Sequence, residues 1–229
     1  MIRNPVLIFV LLFIFSCSDD PTSSNGGNFE TGTVSDIDGN VYKTVKIGDQ
    51  WWMAENLKVI RYRNGEPISH VSDSTVWSNL SNGAYCEYDN NSANVSTYGR
   101  LYNWYSVNDS RSIAPAGWHV PTDVEWRTLV SFLGGISMAG SKLKEAGTSH
   151  WFSPNTGATN ESGFTALPSG YRGPYGEFGS MGYYCSFWSS TDYDSSGAFN
   201  RYLSYNNSGL NASGSGKPSG YIVRCVKDN

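Results

Sequence analysis

Charge is scarce in this chain, and what there is leans acidic. Lys and Arg number 16 against 20 Asp and Glu, charged residues are 16% of the total, and the formal net charge is −4. Nucleic-acid binding needs a basic face for the phosphate backbone, and no segment supplies one. Histidine is limited to His70, His119 and His150. None stands in an H-x-H, H-E-x-x-H or Cys/His cluster with metal spacing, which excludes the common zinc patterns. No G-x-S-x-G elbow is present. Gly214-Ser215-Gly216-Lys217-Pro218-Ser219-Gly220 is Gly-rich, but it lacks phosphate-loop spacing and leads into a strand pattern. It reads as a turn. Long apolar runs are also missing. The longest, Val6 to Phe15, is about ten residues, and a bilayer core needs about twenty.

That short run has an informative context. It follows Met1-Ile2-Arg3 and ends at Ile14-Phe15-Ser16-Cys17. A basic start, a short apolar stretch and a small residue before the cut make a secretory signal. Ile14 to Cys17 resembles a bacterial lipobox, which implies that residues 1–16 are removed and Cys17 is acylated. Residues 17–28 are polar, small and Gly-rich, the composition of a flexible tether. Buried acyl chains contribute about 0.8 kcal/mol per methylene, enough for stable anchoring when several are present. Ser18-Asp19-Asp20 resembles the acidic export tag of surface-exposed Bacteroidetes-type lipoproteins. The expectation is an outer-membrane lipoprotein, membrane-attached through its N-terminal lipid and facing outward.

Aromatics and glycine are plentiful: aromatics are 14% of the chain, and there are 25 Gly. Residues 29–229 are enough for one domain with its own core, rich in turns and suited to an extracellular setting. Val34 to Ile47 reads as a hairpin turning at Asp38-Gly39. Pro121 to Gly135 reads as a helix, with a Thr122/Glu125 capping box and an apolar face of Val124, Leu129, Phe132 and Leu133. A shorter helix is expected near Met138 to Glu145. Residues 62–98 read as long surface loops, and the chain beyond residue 160 as short strands and turns. Asp123 and Glu125 point to different faces of their helix and complement its N-terminal dipole. With Cys17 spent on lipid, at most one disulfide pair forms among Cys86, Cys185 and Cys225; three buried thiols are the alternative.

Eight strings then stand in order: Tyr42 to Gly48, Trp52 to Leu57, Tyr98 to Tyr105, Gly117 to Thr122, Gly163 to Pro168, Gly170 to Gly173, Phe187 to Thr191 and Tyr221 to Asp228. Together they resemble the Fibrobacter succinogenes major paralogous domain family, from about residue 32 to the end. The resemblance implies an α+β fold: a C-type-lectin-like domain with a central antiparallel sheet, two helices and long loops, related to formylglycine-generating enzymes. Those enzymes use two neighbouring cysteines. Cys185 and Cys225 are not neighbours, so that activity does not carry over. The Glu-Pro-Asn, Gln-Pro-Asp and Trp-Asn-Asp motifs of calcium-dependent lectins are also missing. No cofactor is implied, although Asp192, Asp194, Asn200, Asn206 and Asn207 offer oxygens for a structural calcium.

Aromatic loops are the remaining binding signal. Tyr171, Arg172, Tyr175, Phe178 and Tyr183 lie on Gly-rich segments, and Tyr and Arg are favoured in binding hot spots. Trp118 and Trp188 read as core, and Tyr171 and Tyr184 have core packing as their alternative. Asp73-Ser74-Thr75 matches a short O-glycosylation acceptor pattern. The expectation is a non-catalytic surface module for a glycan or protein ligand. A divergent enzyme would instead show a polar pocket around His119, Arg172 and a cysteine. A structural envelope role is the third reading.

Overall fold

Alternation in the first third folds into a meander of β1 (Thr31–Ser35), β2 (Val41–Ile47) and β3 (Gln50–Met53). The computed structural model describes residues 29–228; the signal segment, Cys17 and the tether lie outside the described residues. The β1–β2 hairpin stands as expected. Its connection is organised by Asp36, whose carboxylate accepts from the Asp38 and Asn40 amides at 2.9 and 3.0 Å and from the Tyr42 hydroxyl at 2.5 Å. A two-residue turn closes β2 on β3, and Gly48 supplies its positive φ of 61°.

Two other short strands complete this sheet. β7 (Trp118–His119) and the closing β13 (Val226–Lys227) give the order β1-β2-β3-β13-β7. The second sheet holds β8 (Ser169–Arg172), β9 (Phe178–Met181), β10 (Tyr184–Asp192), β11 (Gly197–Ser204) and β12 (Asn211–Gly216). Its order is β12-β11-β10-β8-β9, antiparallel except where β10 meets β8. A small third sheet joins β4 (Ser69–His70), β5 (Ala84–Cys86) and β6 (Leu101–Tyr102).

Three helices are about one turn long: α1 (Ser74–Ser78), α2 (Val95–Tyr98) and α3 (Trp104–Val107). The two principal helices are α4 (Asp123–Phe132) and α5 (Ile136–Leu143), where they were expected. The fold is α+β, consistent with the lectin-like arrangement that the resemblance implies.

The Thr122/Glu125 capping box forms at the start of α4: the Thr122 amide donates to Glu125 Oε2 at 2.8 Å. The buried face of α4 differs from the expected one. Trp126, Leu129, Val130 and Leu133 are buried, while Val124 and Phe132 are 68% and 64% exposed. Those buried positions are the i, i+3, i+4, i+7 stripe of a helix. Trp126 sets it, because its ring packs 4.7 Å from Trp52 and 5.6 Å from Phe187. Residues 62–98 also differ. They are not only surface loops, since Tyr62, Ile68, Trp77, Ala84 and Cys86 are buried beneath them. Asp73 is engaged as the N-cap of α1, accepting from the Val76 amide at 2.8 Å.

Of the two readings of the cysteines, three buried thiols is the one found: Cys86, Cys185 and Cys225 are free and buried. Cys86 and Cys185 are packed in one apolar cluster and Cys225 in another. Burial pushes the Cys86 and Cys185 thiols up to about 12 and raises Cys225 as well. Such thiols stay protonated and behave as small hydrophobes.

Three cations are buried without a carboxylate partner among the described residues. Lys144 Nζ donates to the carbonyls of Thr156, Ser204 and Asn207 at 3.0, 3.0 and 2.9 Å. Arg172 donates to the carbonyls of Val71, Ser72 and Gly176 at 2.6, 2.8 and 3.1 Å. Its guanidinium also lies 4.4 Å from the Trp77 ring and 4.8 Å from Phe178. Arg224 donates to Asn56 Oδ1 and the Thr165 carbonyl, both at 2.8 Å, and to the Phe164 carbonyl.

His119 clamps the far edge of the first sheet to α4. Its Nδ1 lies 2.6 Å from Asp228 Oδ1 and its Nε2 lies 2.7 Å from Glu125 Oε1. Both partners are acceptors, so only the doubly protonated ring satisfies both. Partial burial opposes the charge, but the hydrogen bonds to Asp228 and Glu125 outweigh it and raise the His119 pKa.

Two outcomes are expected. Arg172→Ala strands three loop carbonyls and should lower the unfolding free energy by about 3 kcal/mol in urea titration; a loss below about 0.5 kcal/mol would mean that water replaces the guanidinium. The His119 contribution is fully present below the unfolded-state value near 6.5 and fades as pH rises through the raised folded value. His119→Gln should therefore cost more stability at about pH 6 than at about pH 8.5, and equal costs would remove the ionic clamp.

Candidate functional site

Successive residues of a strand point to opposite faces, and the second sheet uses this to separate core from surface. Along β10, Cys185 and Phe187 enter an apolar cluster. Tyr184, Ser186 and Trp188 take the other face. On β11, Asn200 and Tyr202 share that face; Ser186 pairs with Tyr202 and Trp188 with Asn200 in the register. β12 adds Ser213, opposite Asn200, and Ser215, opposite Ala198.

Tyr171 from β8 and Tyr221 from the closing segment complete an open trough of about 300 Å³. Tyr184 and Tyr202 stack with centroids 5.7 Å apart and planes 27° apart. Tyr171 meets Tyr221 edge-on at 6.5 Å. Trp188 is fully buried under Tyr221, 4.5 Å between centroids, and its indole N–H donates to the Tyr102 carbonyl at 2.8 Å. It is the rigid foundation of the trough, in agreement with its reading as core. The polar groups are oriented by one another. Asn200 Nδ2 donates to Ser215 Oγ at 2.8 Å and to the Ser213 carbonyl at 3.1 Å, and the Tyr221 hydroxyl donates to Ser215 Oγ at 3.0 Å. Burial raises the Tyr221 pKa, against the lowering effect of bonds to Ser215 and Ser219, so the phenol is a neutral donor.

The five aromatic-loop residues singled out in the sequence do not gather. Tyr171 lines the trough. Arg172, the next residue, faces the other way, fully buried and bonded to loop carbonyls, and cannot meet a ligand. Tyr175 is 82% exposed on the loop between β8 and β9. Phe178 packs against Tyr88 at 5.4 Å. Tyr183 belongs to a separate surface cluster, 4.4 Å from Phe152 and 5.2 Å from Tyr205. Tyr202, Tyr221 and the serines of β12 were missed. Their signal was the period-two spacing of Tyr184/Ser186, Asn200/Tyr202 and Ser213/Ser215.

The residues considered for calcium are engaged locally. Asp192 pairs with Lys217 at 2.8 Å, Asp194 caps the Ser196 and Gly197 amides, Asn206 accepts from Ser204, and Asn207 accepts from the Gly209 amide. Among the described residues no three His, Cys, Asp or Glu side chains gather as a metal group. His119 and Arg172, the suggested heart of an enzymatic pocket, have separate partners: two carboxylates for the first, loop carbonyls for the second.

Comparison with curated proteins and with solved structures found no match. The family model for the Fibrobacter succinogenes major domain matches residues 45–227, a span that contains every residue of the trough and both principal helices. The chain belongs to the Fibrobacter succinogenes major domain family.

Proposed function

We propose that this protein is a lipid-anchored binding module of the bacterial cell surface, and that its tyrosine trough docks a glycan. The observation that carries the reading is the pairing of ring faces with oriented hydroxyl and amide groups on a rigid sheet. Sugar rings present C–H faces that stack on aromatics, and their hydroxyls exchange hydrogen bonds with Ser, Asn and Tyr. The trough is open along the sheet and so admits an extended chain rather than enclosing a single small molecule. Anchoring rests on the Ile14-Phe15-Ser16-Cys17 string, with the outer membrane as the site and the trough facing outward. A protein ligand is the second reading, favoured by the exposed Phe152/Tyr183 pair, whose two rings are 51% and 43% exposed.

The test is a glycan array probed with the chain from residue 28 onward, with and without calcium. A defined polysaccharide should bind equally under both conditions. Tyr202→Ala should weaken it by about tenfold, close to 1.4 kcal/mol, with thermal unfolding little changed. Loss of binding with Phe152→Ala and not with Tyr202→Ala would move the site to the protein-type patch. An array on which nothing binds would remove the glycan reading.

A further inference from the structure

A second cleft, sharing no lining residue with the trough, lies beside the first sheet. It is about 440 Å³ in volume, the size of a small-molecule site. Four of the eight strings that carry the family resemblance build its walls: Lys43 to Val45, Ala54 to Asn56, Gly163 to Leu167, and Arg224. Strand β2 presents Lys43, the segment after β3 brings Glu55 and Lys58, and the closing segment brings Arg224. Three cations thus face one carboxylate in a protein whose net charge is −4.

Arg224 is the unusual member. It is 1% exposed, and an unpaired cation at such depth is costly. Its three hydrogen bonds go to Asn56 Oδ1 and to the Phe164 and Thr165 carbonyls, which leaves two of its five N–H donors without a partner among the described residues. Burial lowers its pKa to about 9, and its guanidinium lies 4.2 Å from the Phe164 ring and 5.5 Å from the Phe187 ring. Lys43 and Lys58 make no ion pair among the described residues; Lys58 Nζ sits 5.5 Å over the Tyr42 ring. Glu55 is turned to the backbone, accepting from the Lys43 amide at 3.0 Å. The rest of the lining mixes apolar side chains, Phe29, Val45, Ala54 and Leu167, with threonine hydroxyls, and Ser96 and Thr97 of α2 add two more hydroxyls.

We propose that this cleft binds a small hydroxylated organic acid of hexuronic-acid size, its carboxylate held by Lys43 and Lys58 with the charge of buried Arg224 behind them, and its hydroxyls by Ser96 and Thr97. The site stands apart from the glycan reading of the trough and does not depend on it. Carboxylate recognition by a cation cluster at a partly desolvated wall gives charge-assisted bonds stronger than neutral ones.

Calorimetric titration of the full chain in detergent with galacturonate, and with galactose as its uncharged counterpart, tests this. Galacturonate should bind at least about tenfold more tightly than galactose. The exposed-side variant K43Q/K58Q should weaken galacturonate by at least about tenfold, E55Q should tighten it, and Tyr202→Ala should leave it unchanged. Equal binding of the two sugars, no galacturonate binding, or full binding by K43Q/K58Q would each overturn the proposal. Loss with Tyr202→Ala alone would assign the sugar to the trough and also overturn it.

Discussion

The structure depends on buried cations that are solvated by carbonyl oxygens instead of being paired with carboxylates. Loops leave carbonyls without strand partners, and a buried carbonyl without a donor is costly. A lysine offers three donors and an arginine five. Each of the three therefore collects carbonyls from segments far apart in sequence. Lys144 joins the end of α5 to the 156 loop and the turn after β11. Arg172 joins β8 to the segment around Val71. Arg224 joins the closing segment to the 164 loop and to Asn56. Desolvation of each charge costs several kcal/mol, which fan-shaped hydrogen bonding and the aromatic faces beside the groups offset. With these pins in place the chain carries its long connections on a frame of short strands.

The same economy shapes the surface. β10 serves core and site at once, because alternate residues leave on opposite sides. Phe187 and Cys185 help bury Trp126 and Phe164, while Tyr184 and Ser186 face the trough. A trough built on the strands of a sheet, rather than on loops, holds its rings with little conformational freedom. Trp188 strengthens this arrangement by fixing Tyr221 from below.

Local signals were legible in the sequence where one segment sufficed. The Thr122/Glu125 capping box, the hairpin at Asp38-Gly39 and the stop at Gly134-Gly135 each depend on neighbours within a few residues, and each forms. The α4 face was misread because Val124 and Phe132 satisfy an apolar count, whereas Trp126 satisfies the geometry by meeting Trp52 from another element. Arg172 was misread for a similar reason. In the sequence it sits among tyrosines on a Gly-rich stretch; in the fold its strand partner position sends it inward to carbonyls about a hundred residues earlier. The cysteines looked pairable by number, but all three are free thiols packed as small apolar groups, Cys86 and Cys185 in one cluster and Cys225 in another.

By itself the sequence determined the class and the family. Ordered strings over most of the chain and short-range capping and turn chemistry are one-dimensional properties, and they specify an α+β domain of the Fibrobacter succinogenes major domain family. Only the tertiary structure decided which rings share a surface and which cations are buried. Tyr171, Tyr184, Tyr202 and Tyr221 meet through strand register, and Lys43, Glu55 and Arg224 meet because the closing segment returns beside the first sheet. Those meetings are set by long-range pairing, for which no single segment holds the information.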